Sequence, residues 1–131
     1  MRSHEAFVAR LADPRHTRGT LEQRVARFVG SAWQHYQGSE YMATLEILLA
    51  TRAQRGARTR ELSLDHGSHL THWRSIFHDV ALSDTRMQEA IYTVHCLLTG
   101  ILMETVLEPG SFDARRYLRR LQRILLDMLA G

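Results

Sequence analysis

Apolar residues recur every three to four positions along most of this 131-residue chain, which is the period of an amphipathic α-helix. No segment shows the alternation of apolar and polar residues that is typical of a half-buried strand. The two prolines, Pro14 and Pro109, both lie where the helical pattern is interrupted. The pattern therefore predicts an all-α bundle of five to six helices and no sheet.

A short helical segment near residues 4–11 precedes five longer predicted helices. These cover approximately residues 21–37, 40–55, 62–80, 86–107 and 113–130. Candidate N-cap residues precede four of them: Thr20, paired with Gln23 in a capping box, Ser39, Ser83 or Thr85, and Ser111. Residues 55–60 are polar and include a glycine, so we expect an exposed connection there.

Two of the predicted helices are apolar on more than one side. The helix at 40–55 is apolar around most of its circumference, which is typical of a buried helix. Glu46 lies among those apolar neighbours, so we expect its carboxylate to have a partner. The helix at 86–107 has two apolar sides, so it needs contacts on two sides.

Composition and charge are those of an ordinary soluble domain, with 44% hydrophobic and 24% charged residues. The net charge of +3 is mild, and all 17 basic residues are arginine. Five of them form one row on the last helix: Arg115, Arg116, Arg119, Arg120 and Arg123. We expect this row to be a solvated face paired with nearby acids, for which Glu104, Glu108 and Asp113 are the candidates. The alternative is a nucleic-acid patch, which is disfavoured because no aromatic residue alternates with these arginines.

Cysteine content and targeting signals favour a cytoplasmic protein. Cys96 is the only cysteine, which excludes an internal disulfide and a zinc site built on cysteines. The first residues lack the apolar core of a signal peptide, and no run reaches the roughly 18–20 apolar residues of a membrane span. We therefore expect no membrane partner.

Catalytic and cofactor motifs are absent from the sequence. It has no glycine-rich nucleotide motif, no HExxH and no GxSxG. His66, His69 and His72 are spaced for one helical face, but a structural zinc site needs four ligands and no further ligand set accompanies them. We expect these histidines to be exposed or hydrogen-bonded, and we expect neither an enzyme nor a bound metal or cofactor.

The segment from Ser39 to Arg52 reads SEYMATLEILLATR, and the segment from Leu97 to Leu107 reads LLTGILMETVL. In their order along the chain, these and the other helical segments resemble the C-terminal regulatory domain of TetR-type transcriptional regulators. The first segment is similar to the family's SPEY…LELLLAAR helix, and the second is similar to its penultimate helix, LLxGLxxxxLL. The similarity in segment order covers nearly the whole chain.

The resemblance implies one regulatory domain over residues 1–131, in which residues 1–12 end the interdomain helix and residues 20–131 form the effector-binding and dimerisation core. The family's N-terminal helix-turn-helix is missing from this sequence, so DNA would be bound only through that absent part. The last two helices would pair with a second copy in a two-fold four-helix interface. Its predicted residues are Leu97, Ile101, Leu121, Leu125 and Met128.

The resemblance also implies an effector pocket among the middle helices, and a small apolar or aromatic effector fits the scarcity of charge there. The predicted lining residues are Trp33, Tyr36, Met42, Leu45, Leu49, Trp73, Phe77, Tyr92, His95, Thr99 and Met103. Two other functions stay open. One is a stand-alone helical module for dimerisation or protein interaction without DNA binding, and the other is a small metalloprotein or enzyme that uses the histidines.

Overall fold

The computed structural model describes residues 14–52 and 66–131, and these form five α-helices and no strand. A single 3-10 turn, Pro14–Thr17, precedes them. The helices are α1 Leu21–Tyr36, α2 Ser39–Ala50, α3 His66–Ile76, α4 Asp84–Leu107 and α5 Ala114–Ala130. The predicted all-α class is therefore confirmed for the described residues. The predicted segment at 4–11 and the connection at 55–60 lie outside them.

Side-chain caps mark the beginning of α1, α4 and α5. Thr20 and Gln23 form the predicted reciprocal capping box at α1, and Ser83 accepts the backbone N–H of Arg86 at the start of α4. Two predicted caps are wrong. Gly38 precedes α2 in the cap position, so Ser39 is already helical. Asp113 caps α5, because the Ser111 hydroxyl is directed to the carbonyl of Glu108 instead.

The core lies where α1, α3 and α5 pack against the long helix α4. An aromatic cluster occupies its centre. The ring of Phe28 meets Trp73 edge-on with centroids 4.8 Å apart, and it meets Phe77 in the same way at 5.9 Å. Trp73 and Phe77 are almost completely buried. Edge-to-face packing of this kind adds to the free energy gained from burying the rings.

Arg24 on α1 is the buried charged residue of this core, with only 2% of its surface exposed. Its guanidinium donates to both carboxylate oxygens of Asp79, at 2.9 and 2.8 Å. It also donates to the backbone carbonyls of Gly19 and Ile76, at 3.1 and 3.0 Å. Arg24 therefore joins the segment before α1 to the end of α3, and every bond is charge-assisted.

Helix α2 does not lie in the core, contrary to the prediction. It has no buried residue, and Ile47 and Leu49 are 59% and 43% exposed. Glu46 is also exposed, so it does not need the partner that we expected. An apolar circumference shows that a helix has apolar surface to cover, but it does not identify a neighbour that covers it.

Helix α4 is long and apolar enough to cross a membrane by length and composition, and a third of its apolar window is buried inside the protein. The core helix of a soluble protein meets the same two criteria. No other helix in the described part of the chain meets them.

We predict that Arg24→Met lowers the free energy of unfolding by about 1–3 kcal/mol, because the buried carbonyl of Ile76 loses its donor. Urea unfolding measures this. Arg27→Met is the matched control on the same helix, since Arg27 is exposed, and it should stay within about 0.5 kcal/mol of the wild type. Equal stability of the two variants would contradict the assigned role of Arg24.

The Arg24→Met variant also tests how the stability of the fold depends on pH. The hydrogen bonds from Arg24 hold the pKa of Asp79 below its ordinary value. The carboxylate therefore stabilises the fold above the pKa of an unfolded aspartate, about 3.9, and this contribution is lost as the pH falls through the lower folded pKa. The difference in stability between wild type and Arg24→Met should shrink in that acidic range.

Candidate functional site

A small cavity lies between α1, α3 and α4. Its volume is about 20 Å³, which is enough for one water molecule. Nine residues line it: Phe28, Ala32, Tyr36, His69, Trp73, Ile91, Val94, His95 and Leu98. No carboxylate or guanidinium is among them, so the polar side-chain groups at the cavity are the Tyr36 phenol, the Trp73 indole N–H and two imidazoles.

A tyrosine and a histidine form the polar end of this cavity. The Tyr36 hydroxyl lies 2.5 Å from Nδ1 of His95, which joins the end of α1 to the middle of α4. The Tyr41 ring stacks against Tyr36 with centroids 4.4 Å apart, and the Tyr41 hydroxyl lies 3.4 Å from the Thr99 hydroxyl. The start of α2 is therefore held against α4 by two tyrosines.

Burial keeps this polar cluster uncharged at neutral pH. Burial raises the pKa of Tyr36 well above its ordinary value, and the neighbouring Tyr41 and Cys96 raise it further. Burial also raises the pKa of Tyr41, against the hydrogen bonds from Thr99 and Tyr36 that lower it. For His95 burial has the opposite effect and lowers the pKa. Such a cluster can hydrogen-bond a water molecule or an uncharged ligand, but it offers no charge to neutralise an ion.

The predicted pocket residues do not all converge on this cavity. Tyr36, Trp73 and His95 line it, whereas Phe77 is buried in the aromatic core beside it. Trp33, Met42, Leu45, Thr99 and Met103 are half-buried at other places on the bundle. Leu49 and Tyr92 are exposed, so they cannot wall an enclosed pocket in this structure.

Sequence reasoning missed most of the apolar lining, although helical spacing could have identified it. Phe28 and Ala32 lie eight and four residues before Tyr36, and Ile91 lies four residues before His95. Residues spaced by four share a helix face. Each polar residue of the cavity therefore marks the apolar residues one turn away. The same spacing could have identified His69, which lies four residues before Trp73 on α3.

Part of the predicted dimer interface belongs to the core of the single protomer. Ile101 on α4 and Leu121 and Leu125 on α5 are buried inside the bundle, and Leu125 is fully covered. Leu97 is exposed, and Met128 is half-buried at the edge of a surface groove. Of the five predicted residues, only these two are open to a second chain.

Other apolar residues of α4 and α5 lie on the outside of the hairpin. On α4 they include Tyr92, Cys96, Met103 and Leu107, which are separated by four, seven and four residues. On α5 they are Tyr117, Ile124 and Met128, which are separated by seven and four. Separations of this kind place side chains along one seam of a helix, as in coiled coils and four-helix bundles. We call these seven residues the outer seam.

An open groove joins the two halves of the outer seam. Its volume is about 690 Å³, and Tyr92 of α4 and Met128 of α5 both line it, together with Thr85, Gln88, Glu89 and Thr93. Tyr92, Leu107, Tyr117 and Ile124 are each at least 40% exposed. A Cβ atom added to Gly100, which lies between Cys96 and Met103, would meet nothing within 4 Å. The surface of α4 is therefore open to another helix at its middle.

Among residues 14–52 and 66–131, no group of three or more histidine, cysteine, aspartate or glutamate side chains is placed to hold a metal ion. His69 faces the cavity and His72 is half-buried on the same helix. The side chain of His66 lies outside the described part.

We predict that His95 makes the stability of the protein depend on pH. Since burial lowers its folded pKa, the unfolded chain binds the proton more readily. Stability should therefore fall as the pH drops below about 6.5, the ordinary pKa of histidine. In urea unfolding at pH 5–7.5, His95→Gln should remove this loss. Tyr36→Phe should retain it, because burial and not the hydrogen bond lowers the pKa. A wild-type slope in His95→Gln would contradict the assignment.

Comparison of the chain with protein-family models, with curated proteins and with solved structures finds no match.

Proposed function

We propose that this chain is the dimerisation and effector-sensing domain of a transcriptional regulator similar to the TetR type. In this proposal the outer seam pairs with the same seam of a second copy. The core cavity is the place where an effector acts on the helices. The domain controls the DNA binding of a helix-turn-helix.

The outer seam is the observation that carries the proposal. Helices α4 and α5 already supply much of the protomer core through their buried sides, yet both retain a further apolar row on the outside. A continuous apolar row at heptad-like spacing on two adjacent helices fits a matching pair of helices. With a two-fold axis a single patch is enough to form the interface, because the same residues of both copies then contact each other.

The effector part of the proposal is supported by the chemistry of the cavity. Tyr36 and His95 are uncharged, hydrogen-bonded to each other and surrounded by apolar side chains from three helices. Ligand sites typically combine such an apolar lining with a few convergent polar groups. A ligand that separated Tyr36 from His95 would act on both α1 and α4, and α4 also carries the outer seam.

The size of the cavity favours the second candidate function, a stand-alone dimerisation module. Small-molecule sites have volumes of about 300–1,000 Å³, whereas the core cavity between α1, α3 and α4 has about 20 Å³. An effector would therefore require the α1–α3–α4 contact to open. A dimerisation module without an effector would not require this opening. The outer seam is needed equally for both candidate functions.

The first test is the oligomeric state. We predict that the protein is a dimer by light scattering coupled to size-exclusion chromatography. We expect Ile124→Glu to weaken the dimer by at least about 30-fold in Kd. The effect should be large because a two-fold axis places each substitution in the interface twice. Sedimentation velocity over a dilution series measures the Kd.

The matched control is Arg123→Glu, which places the same new side chain at the adjacent position. Arg123 points away from the outer seam and is exposed, so this variant should remain dimeric. A wild-type protein that is monomeric at millimolar concentration would refute the proposal. Equal weakening by both substitutions would show that charge, and not the seam, controls association.

The second test separates the two candidate functions. We predict that p-cresol, a small uncharged phenol, raises the melting temperature of the wild type by at least about 2 °C at millimolar concentration. We expect His95→Leu to abolish the increase, because the cavity then lacks its hydrogen-bonding imidazole. If neither p-cresol nor toluene changes the melting temperature or the amide NMR spectrum, the effector part is wrong and the stand-alone module remains.

A further inference from the structure

The arginine row of α5 lacks the acidic partners that the sequence analysis expects. Asp113 is used as the cap of α5, and Glu108 contacts the hydroxyl of Ser111. The ion pairs found among the described residues are those of Arg24 and Arg74. Within that part of the chain, the five guanidinium groups at 115, 116, 119, 120 and 123 have no side-chain partner, and all five residues are exposed.

This arrangement is unfavourable for the isolated protomer. Arg115 and Arg119, like Arg119 and Arg123, are four residues apart, and such like-charged pairs destabilise a helix by about 0.2–0.5 kcal/mol each. Arg115 and Arg116 also lie in the first turn of α5, where the helix dipole disfavours positive charge. An anionic partner would relieve both effects.

The position of the row leaves it accessible even when the outer seam is covered. With 3.6 residues per turn, the centre of the row lies roughly 150° around α5 from the buried residues Leu121, Leu125 and Leu129. It lies roughly 120° from the outer-seam residues Tyr117 and Ile124, although Arg120 at the edge of the row lies only about 40° from Ile124. The arginine row, the core side and the seam are thus centred on three different sides of one helix.

We infer that the arginine row binds the phosphodiester backbone of double-stranded nucleic acid without reading its sequence. The row extends about 12 Å along α5, at 1.5 Å per residue. A DNA duplex carries about one phosphate charge per 1.7 Å of its axis, so the same length presents roughly seven charges. Guanidinium groups match phosphate oxygens with paired hydrogen bonds.

The other anionic partners fit less well. Single-stranded nucleic acid binding uses aromatic side chains that stack with bases beside the basic groups. The aromatic pair at the start of α5, Phe112 and Tyr117, is stacked on itself with its rings 5.0 Å apart. Stable attachment to a lipid surface combines basic groups with inserted apolar side chains. The arginine row itself contains no apolar side chain, and Tyr117 and Ile124 border it only beside Arg120.

The inference is tested by fluorescence anisotropy with two 20-base-pair DNA duplexes of unrelated sequence, over a series of salt concentrations. We expect equal affinity for both duplexes, because only backbone phosphates are contacted. The triple variant R116Q/R119Q/R123Q should bind at least about tenfold more weakly at low salt. Its log–log salt slope should be smaller by about 2.7, which is 0.9 for each of three lost phosphate contacts.

The matched control is R18Q/R52Q/R86Q, which removes the same number of positive charges from exposed positions on other elements. It should retain most of the wild-type affinity and slope. Equal weakening by the two triple variants would overturn the inference, because binding would then follow net charge alone. Binding to phosphatidylglycerol vesicles without binding to duplex DNA would overturn it in favour of a lipid surface.

The outcome is independent of the proposed dimer. Light scattering on R116Q/R119Q/R123Q should show the wild-type oligomeric state, and circular dichroism should show unchanged helix content. A monomeric wild type that still binds DNA through this row would leave the inference standing and would refute the outer seam. A wild-type dimer that does not bind DNA would overturn the inference and would leave the outer seam standing.

Discussion

Helix α4 carries more apolar surface than its own protomer covers, and the other features of the bundle follow from that constraint. One side of α4 is covered by α1, α3 and α5, which places Leu98 and Met87 at complete burial. The opposite side keeps Tyr92 and Leu107 in contact with solvent. A soluble domain rarely retains a long apolar row of this kind unless a partner covers it. The same excess of apolar residues lets α4 meet the length and hydropathy criteria for a membrane helix.

The helical pattern predicted the elements well but not their neighbours. Local signals such as the Thr20–Gln23 capping box act over three residues, so the sequence specifies them directly. Burial of a helix depends on which surface faces it, and this is a long-range property. That is why α2, with an apolar circumference, lies at the surface. It is also why Ile101 and Leu121 lie in the protomer core and not on the outside of the hairpin.

The candidate site shows the same division between local and long-range information. The types of residue were predictable, because Tyr36, Trp73 and His95 are large or polar side chains on apolar helix faces. Their meeting was not predictable from spacing, since Tyr36 and His95 are 59 residues apart. The Arg24–Asp79 pair, which is 55 residues apart, gave no sequence signal either. In the sequence alone, a buried arginine on an amphipathic helix cannot be distinguished from an exposed charge on the polar face, because its partner lies on another helix.

The three sides of α5 would let so small a bundle take part in the two proposed associations. Each face uses one kind of physical chemistry: aliphatic burial at Leu125, a half-exposed apolar row at Ile124 and free positive charge at Arg119. Apolar association is weakly affected by salt, whereas contacts between arginine and phosphate weaken steeply as salt rises. Coupling between the proposed associations would have to pass through α5 and its packing against α4, and α4 also lines the cavity at Tyr36 and His95.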